Sequence, residues 1–192
     1  AERNHYDAQM QIQTNGSLLT KDIGTWLYRH GVGIGISCDG RKDLMDRTRR
    51  RKDGGSSFQA ASEGFKNLAS AGIGTGITCV VTEDMTDDLP GIADMAHFYG
   101  NVHQVGFDIL REQGRGAALH APSAEAMTKA LEKTAARMDL LEQMTGRIST
   151  SRRRIESLVS KKPKITISLS AMPCTVKRLS SMCMEISMPA PR

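Results

Sequence analysis

Three apolar runs in this chain each end in small polar residues, and this repeated pattern constrains the fold more than any other feature. The runs and their polar ends are 10–12 with Thr14, Asn15 and Gly16, 32–36 with Ser37, Cys38, Asp39 and Gly40, and 77–81 with Thr82, Glu83 and Asp84. Proteins with parallel strands place their binding residues beyond the carboxyl ends of those strands. The pattern therefore predicts three strands that end at one polar rim, where a functional site lies.

Predicted strands and helices alternate along the chain. Hydrophobic periodicity predicts strands over 9–14, 32–38, 74–82 and 102–109, and helices over 20–30, 57–71, 87–99 and within 123–147. The helical residues expected to face the core are Ile23, Trp26, Leu27, Phe58, Ala61, Phe65, Leu68 and Ala69. Connections of this length require parallel pairing with right-handed crossovers. The prediction is an α/β fold whose parallel sheet is covered by helices.

Length and composition indicate one globular domain followed by a tail. The chain has 192 residues, of which 39% are hydrophobic and 24% charged. No run approaches the roughly 18 apolar residues that span a bilayer, and the N-terminus has no apolar signal core. We therefore expect a cytoplasmic protein without a membrane partner. The chain begins without Met and almost directly in a strand, which suggests that an upstream segment was lost or processed.

The net charge of +5 comes largely from two basic clusters, at 47–52 and 152–164. Such clusters are typical of nucleic-acid or phosphate binding, and also of solvated loops and helix faces. Aromatic residues make up only 4% of the chain and do not flank the clusters as a base-stacking platform would. Specific binding to nucleic acid is therefore not expected, but a basic nucleic-acid-binding module remains an alternative.

The glycine and cysteine patterns do not predict a phosphate loop or a metal site. Glycines at 31, 33 and 35, and again at 72, 74 and 76, precede or enter strands, whereas a dinucleotide fingerprint opens a helix after a strand. They predict helix ends and close packing. An unrelated small α/β nucleotide-binding protein is thereby disfavoured. Cysteines occur at 38, 79, 174 and 183 without C-x-x-C spacing, so Cys38 and Cys79 are interpreted as buried apolar residues.

An ordered set of short motifs carries a family resemblance. The motifs are Gln13-Thr14-Asn15-Gly16, Ser37-Cys38-Asp39-Gly40, Asp46-x-x-Arg49, Gly55-Ser56-Ser57-Phe58, Ala71-Gly72-Ile73 and Val80-Val81-Thr82. Over residues 9 to about 112 they resemble the radical S-adenosylmethionine (radical SAM) superfamily, in particular the anaerobic sulfatase-maturing and peptide-modifying enzymes. The resemblance implies a partial (β/α)₆ barrel in residues 1–148, with the third to sixth strands present. It further implies that a separate chain could supply the first two strands.

The same resemblance assigns roles to individual residues. Ser37 matches the serine that binds the methionyl carboxylate or ribose of S-adenosylmethionine (AdoMet), and Arg49 matches the arginine that pairs with the carboxylate. The other residues implied to contact the cofactor are Thr14, Asn15, Gly16, Asp39, Val81 and Leu110. The alternative is that Ser37 caps a loop and Arg49 belongs to a basic run. Arg41 and Met45 stand where the family usually has Pro and His, so this loop is expected to be repacked.

The two motifs most closely tied to radical chemistry are absent from the 192 residues. Family enzymes bind a [4Fe–4S] cluster through C-x-x-x-C-x-x-C and hold the methionyl amine through Gly-Gly-Glu-Pro, and this sequence contains neither. The intact relative would cleave AdoMet reductively to a 5′-deoxyadenosyl radical. That radical would abstract hydrogen from a Cys or Ser side chain of a sulfatase or another peptide. This chain alone is therefore expected to bind no cofactor stably and to be inactive.

Residues 149–192 are interpreted as a basic linker and the truncated start of an auxiliary-cluster domain. Met172, Pro173 and Cys174 resemble the opening of the Cys-rich SPASM domain, which makes Cys174 a remnant of a cluster ligand. Back-translation of 182–191 with a shift of two bases permits the next motif of that domain. This match leads to the hypothesis that a frameshift follows Cys174.

Overall fold

The computed structural model describes residues 9–49 and 51–146. Four strands alternate with helices, as the periodicity predicts. The strands are β1 Met10–Thr14, β2 Val32–Ser37, β3 Thr75–Val81 and β4 Val102–Ile109. The α-helices are α1 Lys21–Arg29, α2 Lys42–Thr48, α3 Ser57–Ser70, α4 Pro90–Tyr99 and α5 Ala124–Thr145, and two 3₁₀ helices span Glu83–Asp88 and Gly114–Gly116.

The four strands form one parallel sheet in the order β1-β2-β3-β4. Ile12 lies beside Ile34, and Ile36 lies beside Ile77, so the apolar residues of adjacent strands are in register. The predicted α/β class with a parallel sheet and covering helices is confirmed. Within the described ranges β1 pairs with β2 alone. The expected pairing of its other edge with further strands stays a prediction.

One face of the sheet packs against the helices. Successive side chains of a strand point to opposite faces, and every second residue of the central strands is buried. The strand side chains in this helix-facing core are Ile34, Ile36, Ile77, Cys79, Val81 and Val105. They pack with Phe65 and Leu68 of α3 and Ile92 of α4, all of which are fully buried. This layer is the hydrophobic core.

The alternate residues of the same strands form the second face, which we call the open face. It carries polar side chains and glycines in place of an apolar layer. Its members are Gln11 and Gln13 of β1, Gly33, Gly35 and Ser37 of β2, Gly76, Thr78 and Val80 of β3, and Gln104, Gly106 and Asp108 of β4. None of these residues belongs to the described hydrophobic core. The open face is therefore the more polar side of the sheet, although Thr75 also places a hydroxyl on the helix-facing side, where it donates to the Ile34 carbonyl.

The helix ends follow from local sequence. The side chains of Thr20, Ser56 and Ser123 cap α1, α3 and α5 by accepting hydrogen bonds from main-chain N–H groups in the first turn. Gly100 and Gly146 end α4 and α5 in the left-handed conformation that glycine adopts readily. Within the described ranges, no helix combines the length and apolar character needed to cross a membrane.

Two expectations for the helices are wrong. Ile23 and Trp26 of α1 were expected to face the core, but both are exposed, at 45% and 59%. The buried residue of α1 is Gly24, where an added Cβ would lie 2.5 Å from Leu68 Cδ2. Helix α1 therefore approaches α3 through its glycine. The predicted helix over 87–99 is instead a 3₁₀ helix followed by α4, because Pro90 starts a new α-helix.

Helix α2 was not predicted, because seven residues are too few for a clear helical period. Leu44 and Met45 are nevertheless buried in the core. Residues 147–192 lie outside the described ranges. The predicted linker and auxiliary-cluster remnant at 149–192, with Cys174 and the frameshift hypothesis, therefore stay predictions.

Candidate cofactor-binding site

Asp39 connects the ends of two neighbouring strands. It follows β2 and is only 4% exposed. Its Oδ1 accepts a hydrogen bond of 2.9 Å from the main-chain N–H of Val80. The register between β2 and β3 ends at Ser37 and Thr78. Beyond that point the Asp39 carboxylate, and not a main-chain carbonyl, accepts the hydrogen bond from the Val80 N–H. The loop after β2 is thereby held against the carboxyl end of β3.

Arg49, which directly follows α2, forms an ion pair with Asp39 through two hydrogen bonds. Its Nη2 donates to Asp39 Oδ1 at 2.8 Å, and its Nε donates to Asp39 Oδ2. Burial disfavours the charge of Arg49, but the hydrogen bonds and negative charge of Asp39 outweigh it and raise the pKa of the guanidinium. The side chain remains 29% exposed. A permanent positive charge is therefore held rigidly at the rim, partly open to solvent.

Ser37 is the last residue of β2 and lies on the open face. Its Oγ accepts a hydrogen bond of 3.1 Å from Gln13 Nε2 of β1. The Oε1 of the same amide accepts a bond of 3.2 Å from Thr78 Oγ1 of β3. Ser37 and Arg49 thus come from the same short segment and lie on either side of Asp39 in sequence. The two strongest sequence-derived site residues are both anchored by other side chains.

The Thr14-Asn15-Gly16 turn after β1 is shaped by local hydrogen bonds. The Oγ1 of Thr14 accepts from the Gly16 N–H at 3.2 Å, and the Oδ1 of Asn15 accepts from the Ser17 N–H at 3.0 Å. Gly16 has a φ of +79°, and an added Cβ would lie 3.0 Å from the Cα of Ala61 in α3. Glycine is therefore required both for the backbone conformation and for close contact with α3. The expected contact of this turn with the ribose stays a prediction.

Val81 and Leu110 were expected to form an apolar wall for adenine. The Val81 side chain is fully buried in the helix-facing core. Its main-chain carbonyl accepts a bond of 3.1 Å from the N–H of Leu110, which is half-buried. On the open face of β3, the apolar side chain at this level is that of Val80. The Val81 side chain therefore does not lie on the open face, and the expected contacts of Val81 and Leu110 with adenine stay predictions.

The described cysteines do not fit an iron–sulfur cluster. Burial raises the pKa of Cys38 to about 11 and raises the pKa of Cys79 well above its ordinary value, so both remain thiols at neutral pH. Both side chains are completely buried. Among the described residues there is no group of three or more His, Cys, Asp or Glu side chains that could hold a metal ion. No step of a reaction is assigned to a cluster held by these residues.

Three arginines of the basic segment at 47–52 form ion pairs with aspartates. Arg47 pairs with Asp84, Arg49 with Asp39 and Arg51 with Asp53. The neighbouring Lys42 pairs with Asp46 at 2.8 Å. These contacts reduce the positive charge available to a nucleic-acid phosphate. Of the two explanations that the sequence leaves open, they favour a surface with internal ion pairs.

Sequence reasoning did not identify the connecting residues of the site. Gln13 was noted only as the first residue of a turn motif, and Thr78 only as a strand residue. The available signal was the alternation of polar side chains and glycines along β1, β2 and β3, which marks one face of a sheet. Which of those side chains meet depends on the register, in which Gln13 lies beside Gly35 and Ser37 beside Thr78.

No family model matches the chain. A sequence relative is the uncharacterized protein MJ0907 of Methanocaldococcus jannaschii, which is 30% identical over 128 residues. The matched region covers 65% of this chain and 43% of that protein. The name of this relative states no activity, so this match gives no information on function.

Solved structures of anSMEcpe resemble this chain in fold. Histidine-tagged anSMEcpe with bound AdoMet matches with a TM-score of 0.60 and 18% identity, over 74% of this chain and 40% of that chain. Native anSMEcpe with bound AdoMet and the Cp18Cys peptide matches with a TM-score of 0.60 and 19% identity, over the same shares of the two chains. This likeness shows that the two proteins share an α/β fold with a parallel sheet. The chain spans about two fifths of the length of the proteins that it matches.

Proposed function

We propose that this chain is the part of a radical SAM enzyme that binds the methionyl carboxylate and ribose of AdoMet. The observation that carries the proposal is the pair of anchored polar groups at the carboxyl ends of the strands. Arg49 presents a fixed cation held by Asp39, and Ser37 presents a hydroxyl on the open face. A guanidinium suits a carboxylate ligand because its N–H groups are planar and always charged. The AdoMet bound in the similar anSMEcpe structures supports the choice of ligand.

The turn at the end of β1, formed by Thr14, Asn15 and Gly16, lies at the same edge of the sheet as Ser37, because the carboxyl ends of parallel strands lie on one side. We assign this turn to the ribose side of the ligand. Asp39 is assigned to positioning Arg49, since both of its oxygens are already engaged within the protein. The half-buried Leu110 is assigned to the adenine side.

Reductive cleavage of AdoMet needs a [4Fe–4S] cluster, whose chemistry is to supply an electron and an open iron site for the ligand. The described residues do not fit that cluster, and the 192-residue sequence lacks the C-x-x-x-C-x-x-C loop. We therefore propose that residues outside this sequence, in the same protein or in a separate chain, provide it. The isolated chain then binds AdoMet weakly and does not cleave it.

A peptide is the proposed substrate class of the complete enzyme. The anSMEcpe structure with AdoMet and the Cp18Cys peptide supports this assignment. Oxidation of a Cys or Ser side chain in a sulfatase or another peptide is the reaction that the resemblance implies. A reducing compartment, the cytoplasm, suits the free thiols Cys38 and Cys79.

Titration of the ¹⁵N-labelled chain with AdoMet, followed by amide chemical shifts, tests the binding proposal. The largest shifts are expected at Ser37, Asp39 and Arg49. Replacing Arg49→Met should weaken binding about tenfold, because a charge-assisted hydrogen bond is lost. The matched control is Arg51→Met, a nearby arginine whose carboxylate partner is Asp53. Shifts confined to other regions, or equal effects of the two variants, would exclude this site.

A second experiment tests the expected inactivity. After anaerobic reconstitution with iron and sulfide, and addition of AdoMet and reductant, the isolated chain should produce no 5′-deoxyadenosine. Formation of that product, together with a stoichiometric cluster, would show that the cysteines of this chain are sufficient.

A further inference from the structure

The side chain of Gln13 crosses the open face and connects three strands. It starts on β1, donates to Ser37 on β2 and accepts from Thr78 on β3, at 3.1 and 3.2 Å. Ser37 and Thr78 are neighbours in the register between β2 and β3. One amide therefore holds two adjacent hydroxyl groups at the carboxyl end of the sheet. Neither bond is needed to form the strands, which are already joined by main-chain pairing.

Gly35 makes this crossing possible. It lies beside Gln13 in the register, and a Cβ added at Gly35 would lie 2.3 Å from Gln13 Oε1 and 3.2 Å from Gln13 Cδ. The amide thus occupies the space that any other residue at position 35 would fill. Gly33, two residues earlier on the same face, is different. A Cβ there would meet Gln11 Cγ at 3.6 Å, an ordinary contact.

The direction of the hydrogen bond from Gln13 determines whether Ser37 can donate a hydrogen bond to a ligand. A hydroxyl has one proton to donate and two acceptor lone pairs. Gln13 Nε2 donates to Ser37 Oγ and occupies an acceptor position. Among the described contacts the Ser37 proton has no protein acceptor. The Ser37 proton is therefore available for donation to an anionic or ribose oxygen.

We propose that Gln13 is a positioning residue, which orients Ser37 as a hydrogen-bond donor toward AdoMet. The inference rests on the proposed function, because AdoMet binding is what it explains. Gln13 acts through Ser37 and does not itself need to touch the ligand. Thr78 donates to Gln13 Oε1 and so holds the other end of the same amide.

A pair of glycine variants tests the proposal on the full chain. Gly35→Ala places a methyl group where the Gln13 amide lies, and Gly33→Ala places the same group two residues away without displacing a side chain. AdoMet binding is measured by the same amide titration. Gly35→Ala should weaken binding about tenfold, and Gly33→Ala by less than about twofold. Thermal melting of both variants checks that the sheet remains folded.

A double-mutant cycle with Gln13→Ala and Ser37→Ala separates positioning from a purely structural role. If Gln13 acts through Ser37, then Gln13→Ala weakens binding in the wild-type background but has little further effect once Ser37 is replaced. This cycle also decides the proposal if Gly35→Ala does not fold.

The outcomes of these experiments distinguish the role of Gln13 from the proposed function. If the wild-type chain binds AdoMet at Ser37 but the effects of Gln13→Ala and Ser37→Ala are additive, the role of Gln13 is overturned and the proposed function is left intact. The same conclusion follows if Gly35→Ala is folded and binds AdoMet as the wild type does. Absence of AdoMet binding to the wild-type chain overturns both.

Discussion

The two faces of the same four strands serve different purposes. On the helix-facing side, Ile36, Ile77 and Val81 are almost completely buried. On the open face, the intervening residues are glycines, glutamines and hydroxyl side chains such as Gln13, Ser37 and Thr78. The first face lowers the free energy of the fold by removing apolar area from water, at roughly 25 cal/mol per Å². The second carries polar side chains that bond to one another across strands, as Gln13 does with Ser37 and Thr78.

This separation teaches why a site can be built on a strand at little cost to stability. Consecutive residues point to opposite faces, so a polar residue such as Ser37 can directly follow the buried Ile36. The residues of the rim lie beyond the strand ends, on neither face, and their charges form ion pairs such as that of Asp39 with Arg49. Three predictions test this division, beginning with the largest expected effect.

The helix-facing core should respond most strongly to truncation. Phe65→Ala removes a fully buried ring that stacks on Tyr99 with ring centroids 4.7 Å apart. The free energy of unfolding should fall by about 3–5 kcal/mol, because a cavity is left and apolar burial is lost. Urea denaturation measures the change. Gln11→Ala on the open face is the control and should change stability by less than about 0.5 kcal/mol. Similar losses in both variants would refute the division.

The rim should show an intermediate effect. Asp39→Asn keeps a side chain of the same shape but leaves the guanidinium of Arg49 without its carboxylate. Breaking a fully buried pair costs about 3–5 kcal/mol, and partial exposure of Arg49 reduces the expected loss to about 2 kcal/mol.

The pair of Arg51 and Asp53 provides the control for this prediction, because its carboxylate is 59% exposed, compared with 6% for Asp39. Asp53→Asn should destabilise the protein less than Asp39→Asn in the same urea experiment, because solvent screens exposed charges. A loss from Asp53→Asn as large as that from Asp39→Asn would mean that burial at the rim has no special effect.

Acid should remove a smaller contribution, from Asp46. Burial acts to raise the pKa of Asp46, but hydrogen bonds from Lys42, the Phe58 N–H and Ser56 outweigh it and lower the pKa from 3.8 to about 2. A carboxyl group whose pKa is lowered in the folded state stabilises the protein above its unfolded pKa. That stability is lost as pH falls from about 4 to about 2, and screening limits it to about 1 kcal/mol.

Comparison with Asp46→Asn measures this term. The variant should be less stable than the wild type at about pH 5, and the difference should largely vanish at about pH 2. A difference in unfolding free energy that is the same at both pH values would show that the carboxylate charge of Asp46 does not contribute.

The strands were the most predictable elements. The run from Ile77 to Val81 is apolar and β-branched and is bounded by turn residues, so local patterning was enough to place β3. Helix α2 was missed because its seven residues, about two turns, are too few for a clear periodic signal, and burial of Leu44 and Met45 stabilises it. The inward faces of α1 were misassigned because Gly24, and not Ile23 or Trp26, contacts the neighbouring helix.

The polar rim was predictable from the sequence, but the side-chain contacts within it were not. Polar residues after apolar runs identified the rim, and the motif resemblance selected Ser37 and Arg49. The pairing of Arg49 with Asp39 joins residues ten positions apart across a loop and a helix, and Gln13 reaches residues 24 and 65 positions away. Local sequence contains no information on such contacts until the strand register is known.

The alternation of strands and helices, the parallel sheet and the polar rim could be predicted from the sequence, because they depend on hydrophobic period, turn residues and connection length. Only the tertiary structure decided that Val81 points into the core, that Gly35 lies beneath the Gln13 amide and that Asp39 holds both Arg49 and Val80. The physical reason is that a one-residue change in register reverses the face of every side chain in a strand. Side-chain contacts therefore depend on packing of the whole sheet.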